Sequence, residues 1–191
     1  MNNTKNIMIV GVGGQGTLLA SRILGHAIME QGLDVKVSEV HGMSQRGGSV
    51  VTYVRYGDEV YSPVIDEGEA DFIISFEKLE AARWLSYLKK GGKIITSSQE
   101  IEPMPVITGA AKYPENIIEK IKAKGIDLVE IDALALAELS GSPKATNVVL
   151  MGVLSNYLDF NEDLWEKSLN LCVPEKFLDI NKKAFSLGQK A

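Results

Sequence analysis

Six residues near the amino end, Gly11-Val12-Gly13-Gly14-Gln15-Gly16, carry the spacing G-x-G-x-x-G. Glycines at these intervals permit a tight turn and let backbone approach a ligand closely. The unpaired N–H groups at the start of a following helix then attract an anion by hydrogen bonding and through the helix macrodipole. Phosphate or carboxylate is the natural guest, so Gly11, Gly13, Gly14, Gln15 and Gly16 are candidate cofactor-binding residues. The same glycines would equally serve to let a strand and a helix pack closely with no nucleotide at all.

A second unusual stretch is His41-Gly42-Met43-Ser44-Gln45-Arg46-Gly47-Gly48. An arginine flanked by glycines and polar donors can present a planar cation to a carboxylate or phosphate. Gln45, Arg46 and Gly47 therefore join the candidate cofactor-binding set, with a plain surface loop and a solvated Arg46 as the bland reading. Glu39 lies at about the ~20-residue separation expected of an acid that grips a ribose, although the following loop could cover or redirect it. His41 could be a base, but a lone histidine is more often structural, and Asn147 is most simply a hydrogen-bonding tie between a helix and a loop. No P-loop, no G-x-S-x-G elbow, no H-E-x-x-H and no metal-spaced cluster occurs, so no catalytic or metal-binding residue is assigned.

The elements that must position these residues read as an α/β chain. Ile7–Val10 is a continuous apolar run expected of a strand buried on both faces, and Gly14–Gln31 follows as a helix. Asp34–Val40 gives a second strand and completes a β-α-β start. Val50–Tyr56 is β-branched and aromatic, Gly57-Asp58 supplies a turn, and Glu59–Ser62 can return as its partner, which predicts a hairpin inserted into the α/β order. Strands at Asp71–Ser75, Lys93–Thr96 and Asp127–Ile131 alternate with helices at Glu77–Leu88 and Glu115–Lys124, with Gly91-Gly92 as a stop and a loop bracketed by Pro103 and Pro105. A short helix at Asp132–Leu139, a buried helix at Thr146–Tyr157 and a polar, helical end beyond Asn161 complete the pattern. The expected fold is a Rossmann-like, mostly parallel sheet flanked by helices, with an inserted hairpin and a helical carboxyl end, over one domain spanning 1–191.

Composition narrows the function. A net charge of -5 offers no basic field to a phosphate backbone, so no nucleic-acid partner is expected. The amino end lacks a signal peptide's long apolar core, and no run approaches the ~20 residues needed to cross a membrane, which predicts a cytoplasmic protein without a membrane partner. The single cysteine, Cys172, excludes an internal disulfide and a four-thiolate cluster held by this chain alone.

Taken together, Gly11–Gly16, the His41–Gly48 loop, Tyr61-Ser62-Pro63, Ala70-Asp71 with Phe76-Glu77, and Ala145-Thr146-Asn147 with Met151-Gly152 resemble the gamma-type subunits of 2-oxoacid:ferredoxin oxidoreductases. The resemblance reaches Asn181-Lys182-Lys183-Ala184-Phe185, and the His-Gly-Met-Ser-Gln-Arg-Gly-Gly stretch favours the indolepyruvate type over the oxoglutarate and pyruvate types. It implies a larger partner subunit that carries thiamine diphosphate and iron–sulfur clusters and converts the 2-oxoacid to an acyl-CoA, with electrons passing to ferredoxin. This chain would bind none of those cofactors alone and would not be catalytic alone, with a homodimer left open for the isolated chain. The residues agree, since the only Gly-Asp pair, Gly57-Asp58, continues as Glu59 and no cluster cysteines are present. A free-standing NAD(P)-dependent dehydrogenase using Gly11, Gly13, Gly16 and Glu39, or a nucleotide-binding module without turnover, are the competing expectations.

Overall fold

The computed structural model describes residues 4–41 and 48–191. Strand β1 (Lys5–Val12) leads through the glycine turn into helix α1 (Thr17–Glu30), and β2 (Asp34–His41) follows. Ile7, Met8, Ile9 and Val10 are all fully buried, because alternate side chains feed opposite faces of the sheet and both faces are covered. Ile7 and Ile9 pack into the core beneath α1, whereas Met8 and Val10 join Val51, Ile73 and Ile94 on the other side.

Beyond β3 (Ser49–Gly57) and β4 (Ala70–Ser75) come α2 (Lys78–Arg83), β5 (Leu88–Ser97), the single helical turn α3 (Met104–Ile107), α4 (Ile117–Lys122) and β6 (Asp127–Ile131). The described sheet has the order β2-β3-β1-β4-β5-β6. β1, β4, β5 and β6 run parallel, and β3 runs antiparallel to both β1 and β2. A Rossmann-like, mostly parallel sheet flanked by helices is thus what forms, and its hairpin differs from the one expected. β3 has both edges occupied, with Val54 opposite Ile7 on one side and Val37 on the other, so Glu59–Ser62 has no edge left and is not a strand. That segment is tied down instead by Val60, whose amide donates to Asp34 at 2.9 Å. The hairpin partner of β3 is β2, and β2 is separated from β1 by β3 instead of lying beside it.

Two further boundaries move for local reasons. Gly91 and Gly92 do not stop a helix but sit inside β5, where a Cβ on Gly92 would lie 2.9 Å from the Ala70 carbonyl and the ladder shifts register between Ala70 and Phe72. The helix expected over Glu77–Leu88 ends at Arg83, and Leu88 already pairs with Ala70 in the sheet.

The carboxyl third is helical: α5 (Ala133–Ser140), α6 (Thr146–Ser155), α7 (Glu162–Cys172) and α8 (Leu178–Gln189). Every residue of α6 is buried. α6 crosses α8 through two glycines, and a Cβ on Gly152 would stand 2.1 Å from the Phe185 carbonyl oxygen while one on Gly188 would stand 2.0 Å from that of Val149. Because the obstacle is backbone, a side chain there must push the helices apart. Gly152→Ala is expected to destabilise the chain by about 2–3 kcal/mol, read as a lowered urea midpoint with an unchanged m-value.

Candidate functional site

β1 delivers the glycine turn to the carboxyl edge of the parallel strands. There the chain leaves toward α1 on one side of β1 and later returns to β4 on the other, the crevice where ligands of open α/β sheets collect. Gly13, Gly14 and Gly16 border a cleft of about 370 Å³ together with Thr17, Leu18, Glu39 and Val50. Four of those seven residues lie outside the glycine motif: Thr17 and Leu18 open α1, Glu39 comes from β2 and Val50 from β3.

The glycines have distinct tasks. Gly11 is part of β1, and a Cβ there would meet Gln15 Oε1 at 2.8 Å and the Phe76 Cβ at 3.1 Å, so its smallness serves packing within the chain. Gly13 donates its amide to the Gly48 carbonyl at 2.9 Å. Gly14 has φ of 101° with open space where a Cβ would stand, and Gly16 caps α1 in the left-handed region at φ of 83°. Among the described residues, no backbone carbonyl accepts from the amides of Gly14 and Gly16. The first turn of α1 contains no acidic residue, so this helix start is not internally compensated by one of its own carboxylates.

Gln15 turns inward. Its Oε1 accepts the Val12 amide at 2.8 Å and its Nε2 donates to the Phe76 carbonyl at 3.0 Å, so both ends of the side-chain amide brace the turn. Asn147, 3% exposed, ties α6 to the turn: Nδ2 donates to the Gly16 carbonyl at 3.0 Å, while Oδ1 accepts the amide of its own neighbour Val148 at 2.9 Å. This is the helix-to-loop tie expected of it, and it leaves no room for a Cβ at Gly16, which would stand 2.5 Å from Nδ2.

Glu39 stays at the cleft even though β3 separates its strand from β1. The hydroxyls of Thr17 and Thr52 make long contacts to its Oε2, at 3.5 and 3.4 Å. The cleft therefore combines amides that suit an anion with a carboxylate that suits hydroxyl or amine donors. Gln45, Arg46 and Gly47 lie outside the described residues. Before the undescribed residues 42–47, His41 pairs with Val50 in the β2–β3 ladder, and after them the Gly48 carbonyl accepts the Gly13 amide.

The other wall of the turn is the junction of β4 and α2, at the Phe76-Glu77 pair that carries part of the family resemblance but lies outside the glycine motif. Glu77 is 2% exposed; its Oε2 caps α2 by accepting the Glu80 amide at 2.9 Å, and its Oε1 accepts the Ile101 amide at 3.2 Å and the Tyr113 hydroxyl. Burial raises its pKa above the ordinary 4.5, outweighing the lowering effect of those donors. A carboxyl whose folded pKa is raised binds its proton more tightly in the folded state. Its contribution to stability is full below the unfolded pKa and is lost as pH rises through the folded one. Wild type is therefore expected to lose stability relative to Glu77→Gln as pH increases from about 4.5 to 7, measured by urea unfolding across that range.

The family model for pyruvate ferredoxin/flavodoxin oxidoreductase matches residues 6–191. The indolepyruvate oxidoreductase subunit IorB of Thermococcus kodakarensis is 46% identical over 97% of this chain and 95% of its own, and that of Archaeoglobus fulgidus is 42% identical over 96% and 92%. The gamma subunit of a keto/oxoacid ferredoxin oxidoreductase from Geobacter sulfurreducens superposes with a TM-score of 0.72 at 22% identity, covering 97% of this chain and 96% of that one. The chain also superposes, with a TM-score of 0.76 and 20% identity over its whole length, on 31% of a chain of the 2-oxoglutarate:ferredoxin oxidoreductase from Magnetococcus marinus, solved with 2-oxoglutarate, coenzyme A and succinyl-CoA bound. With the match running from the first strand to the last residue and relatives at this level of identity, the chain belongs to the pyruvate ferredoxin/flavodoxin oxidoreductase family.

Proposed function

We propose that this chain is the smaller, thiamine-free subunit of an indolepyruvate ferredoxin oxidoreductase, and that it lends its glycine turn and the Gln45–Arg46 stretch to the neighbourhood of coenzyme A. The observation that carries the reading is the cleft at the start of α1, lined by Gly14 and Gly16, whose amides no described backbone carbonyl accepts, and by Glu39. That pairing suits the anionic and donor groups of a nucleotide-like moiety such as the one at the end of coenzyme A. The names of the relatives supply the substrate class, an aryl 2-oxoacid.

Neither of the redox-chemistry groups of the family fits this chain. An iron–sulfur cluster needs thiolate ligands, and the sole cysteine, Cys172, is buried on α7 with its thiol pushed up by burial. Gly57-Asp58 closes β3 and is followed by Glu59, without the continuation of a thiamine diphosphate motif. On this reading both groups sit in a larger partner subunit, with ferredoxin receiving electrons from the assembled complex. Among the described residues no helix is long and apolar enough to cross a membrane.

Reconstitution tests the assignment. Indolepyruvate-driven ferredoxin reduction by the thiamine-binding subunit should require this chain, and full activity without it would contradict the reading. Within the complex, Leu18→Glu separates binding from folding. A carboxylate in the first turn of α1 should stabilise the helix by about 0.3–1 kcal/mol while raising the KM for coenzyme A several-fold, because Leu18 is 56% exposed on the cleft. Arg46→Ala should likewise weaken coenzyme A use or assembly.

A further inference from the structure

Two buried carboxyl groups, Glu77 and Glu80, stand at the start of α2, and neither belongs to the glycine motif or to the cleft lining. Glu80 is 4% exposed. Its Oε1 accepts from Arg83 Nε at 2.9 Å, and its Oε2 accepts from Trp84 Nε1 at 3.3 Å and from the Ser49 hydroxyl. All three partners are donors, so both oxygens of Glu80 act as acceptors. Arg83 and Trp84 are near neighbours in sequence, but Ser49 comes from 31 residues away, at the first position of β3.

That distant partner links α2 to the turn. Ser49 lies between Gly48, whose carbonyl takes the Gly13 amide at 2.9 Å, and Val50, which lines the cleft. A second link starts from the same helix end: the Phe76 carbonyl, directly before the capping Glu77, holds Gln15 Nε2 at 3.0 Å, and Gln15 Oε1 in turn holds the Val12 amide. The turn is thus gripped on both flanks by groups fixed at the first turn of α2. A purely packing role would be filled by an apolar side chain, since a buried carboxyl group is unfavourable unless its hydrogen-bond partners are in place.

We propose that Glu80, acting through the Ser49 hydroxyl, is a positioning residue that sets the glycine turn and the Val50 wall for ligand binding. The inference rests on the reading of that cleft as the coenzyme A neighbourhood and adds a group that does not itself touch the ligand. Ser49 is exposed, so removing its hydroxyl leaves the core intact and Glu80 still bonded to Arg83 and Trp84.

The test is made in the reconstituted complex with Ser49→Ala, Ser49→Thr and Leu18→Glu, measuring the KM for coenzyme A, kcat and the melting temperature. Ser49→Ala is expected to raise the KM at least threefold with kcat within twofold and Tm unchanged, and Ser49→Thr, which keeps the hydroxyl, to restore the wild-type KM. A role confined to stability would shift Tm and leave the KM alone. If Leu18→Glu raises the KM and Ser49→Ala does not, the positioning inference is overturned while the cleft stands. If neither variant moves the KM, the cleft assignment falls and this inference falls with it.

Discussion

Everything at the carboxyl edge depends on how β1 is paired. It is held antiparallel by β3 on one side and parallel by β4 on the other, with its four central side chains fully buried. Burial of each such side chain contributes about 1.5–3 kcal/mol, and the strand cannot slip by one residue without exchanging the two faces of its core. The turn at its end is thereby fixed relative to two other chain segments. β3 brings Gly48 and Val50 to one flank, and β4 brings Phe76 and the start of α2 to the other. The antiparallel β3 is what distinguishes this arrangement from a plain alternation of strands and helices, and it pairs His41 with Val50, which lines the cleft.

Much of this was legible in the residues. Ile7–Val10 reads as a doubly buried strand because its apolar run is continuous, and Asp127–Ile131 is a strand with the limits its pattern indicates. The partner of β3 was not legible, because two consecutive strands and a Gly-Asp dipeptide fit a local hairpin as well as they fit insertion between β1 and β2. Only the occupancy of both edges of β3 decides between them. Gly91-Gly92 misled for a related reason: a pair that reads as a helix stop is, in the sheet, what lets β5 bulge past the Ala70 carbonyl.

The site was half legible. The glycine motif identifies which backbone turns toward a ligand edge, but it does not say which way Gln15 points, and here its amide is consumed by Val12 and Phe76. Gly11 and Gly13 likewise serve the chain's own packing and pairing, leaving Gly14 and Gly16 with amides facing no described carbonyl. Glu80 and Ser49 carried no signal at all, since a carboxylate and a hydroxyl 31 positions apart acquire meaning only once β3 is placed. The single cysteine was the most informative residue for function: this chain alone cannot supply the thiolates of a four-cysteine cluster, although it belongs to a family whose relatives are oxidoreductase subunits.

The central claim is that the turn at the end of β1 meets coenzyme A when the chain sits in its complex. Hydrogen–deuterium exchange of the assembled complex, with and without coenzyme A, measures this at the amides concerned. Slower exchange across residues 11–18 on adding coenzyme A, with α6 and α8 unchanged, is the predicted result. Protection confined to the thiamine-binding subunit, with residues 11–18 exchanging as before, would contradict it.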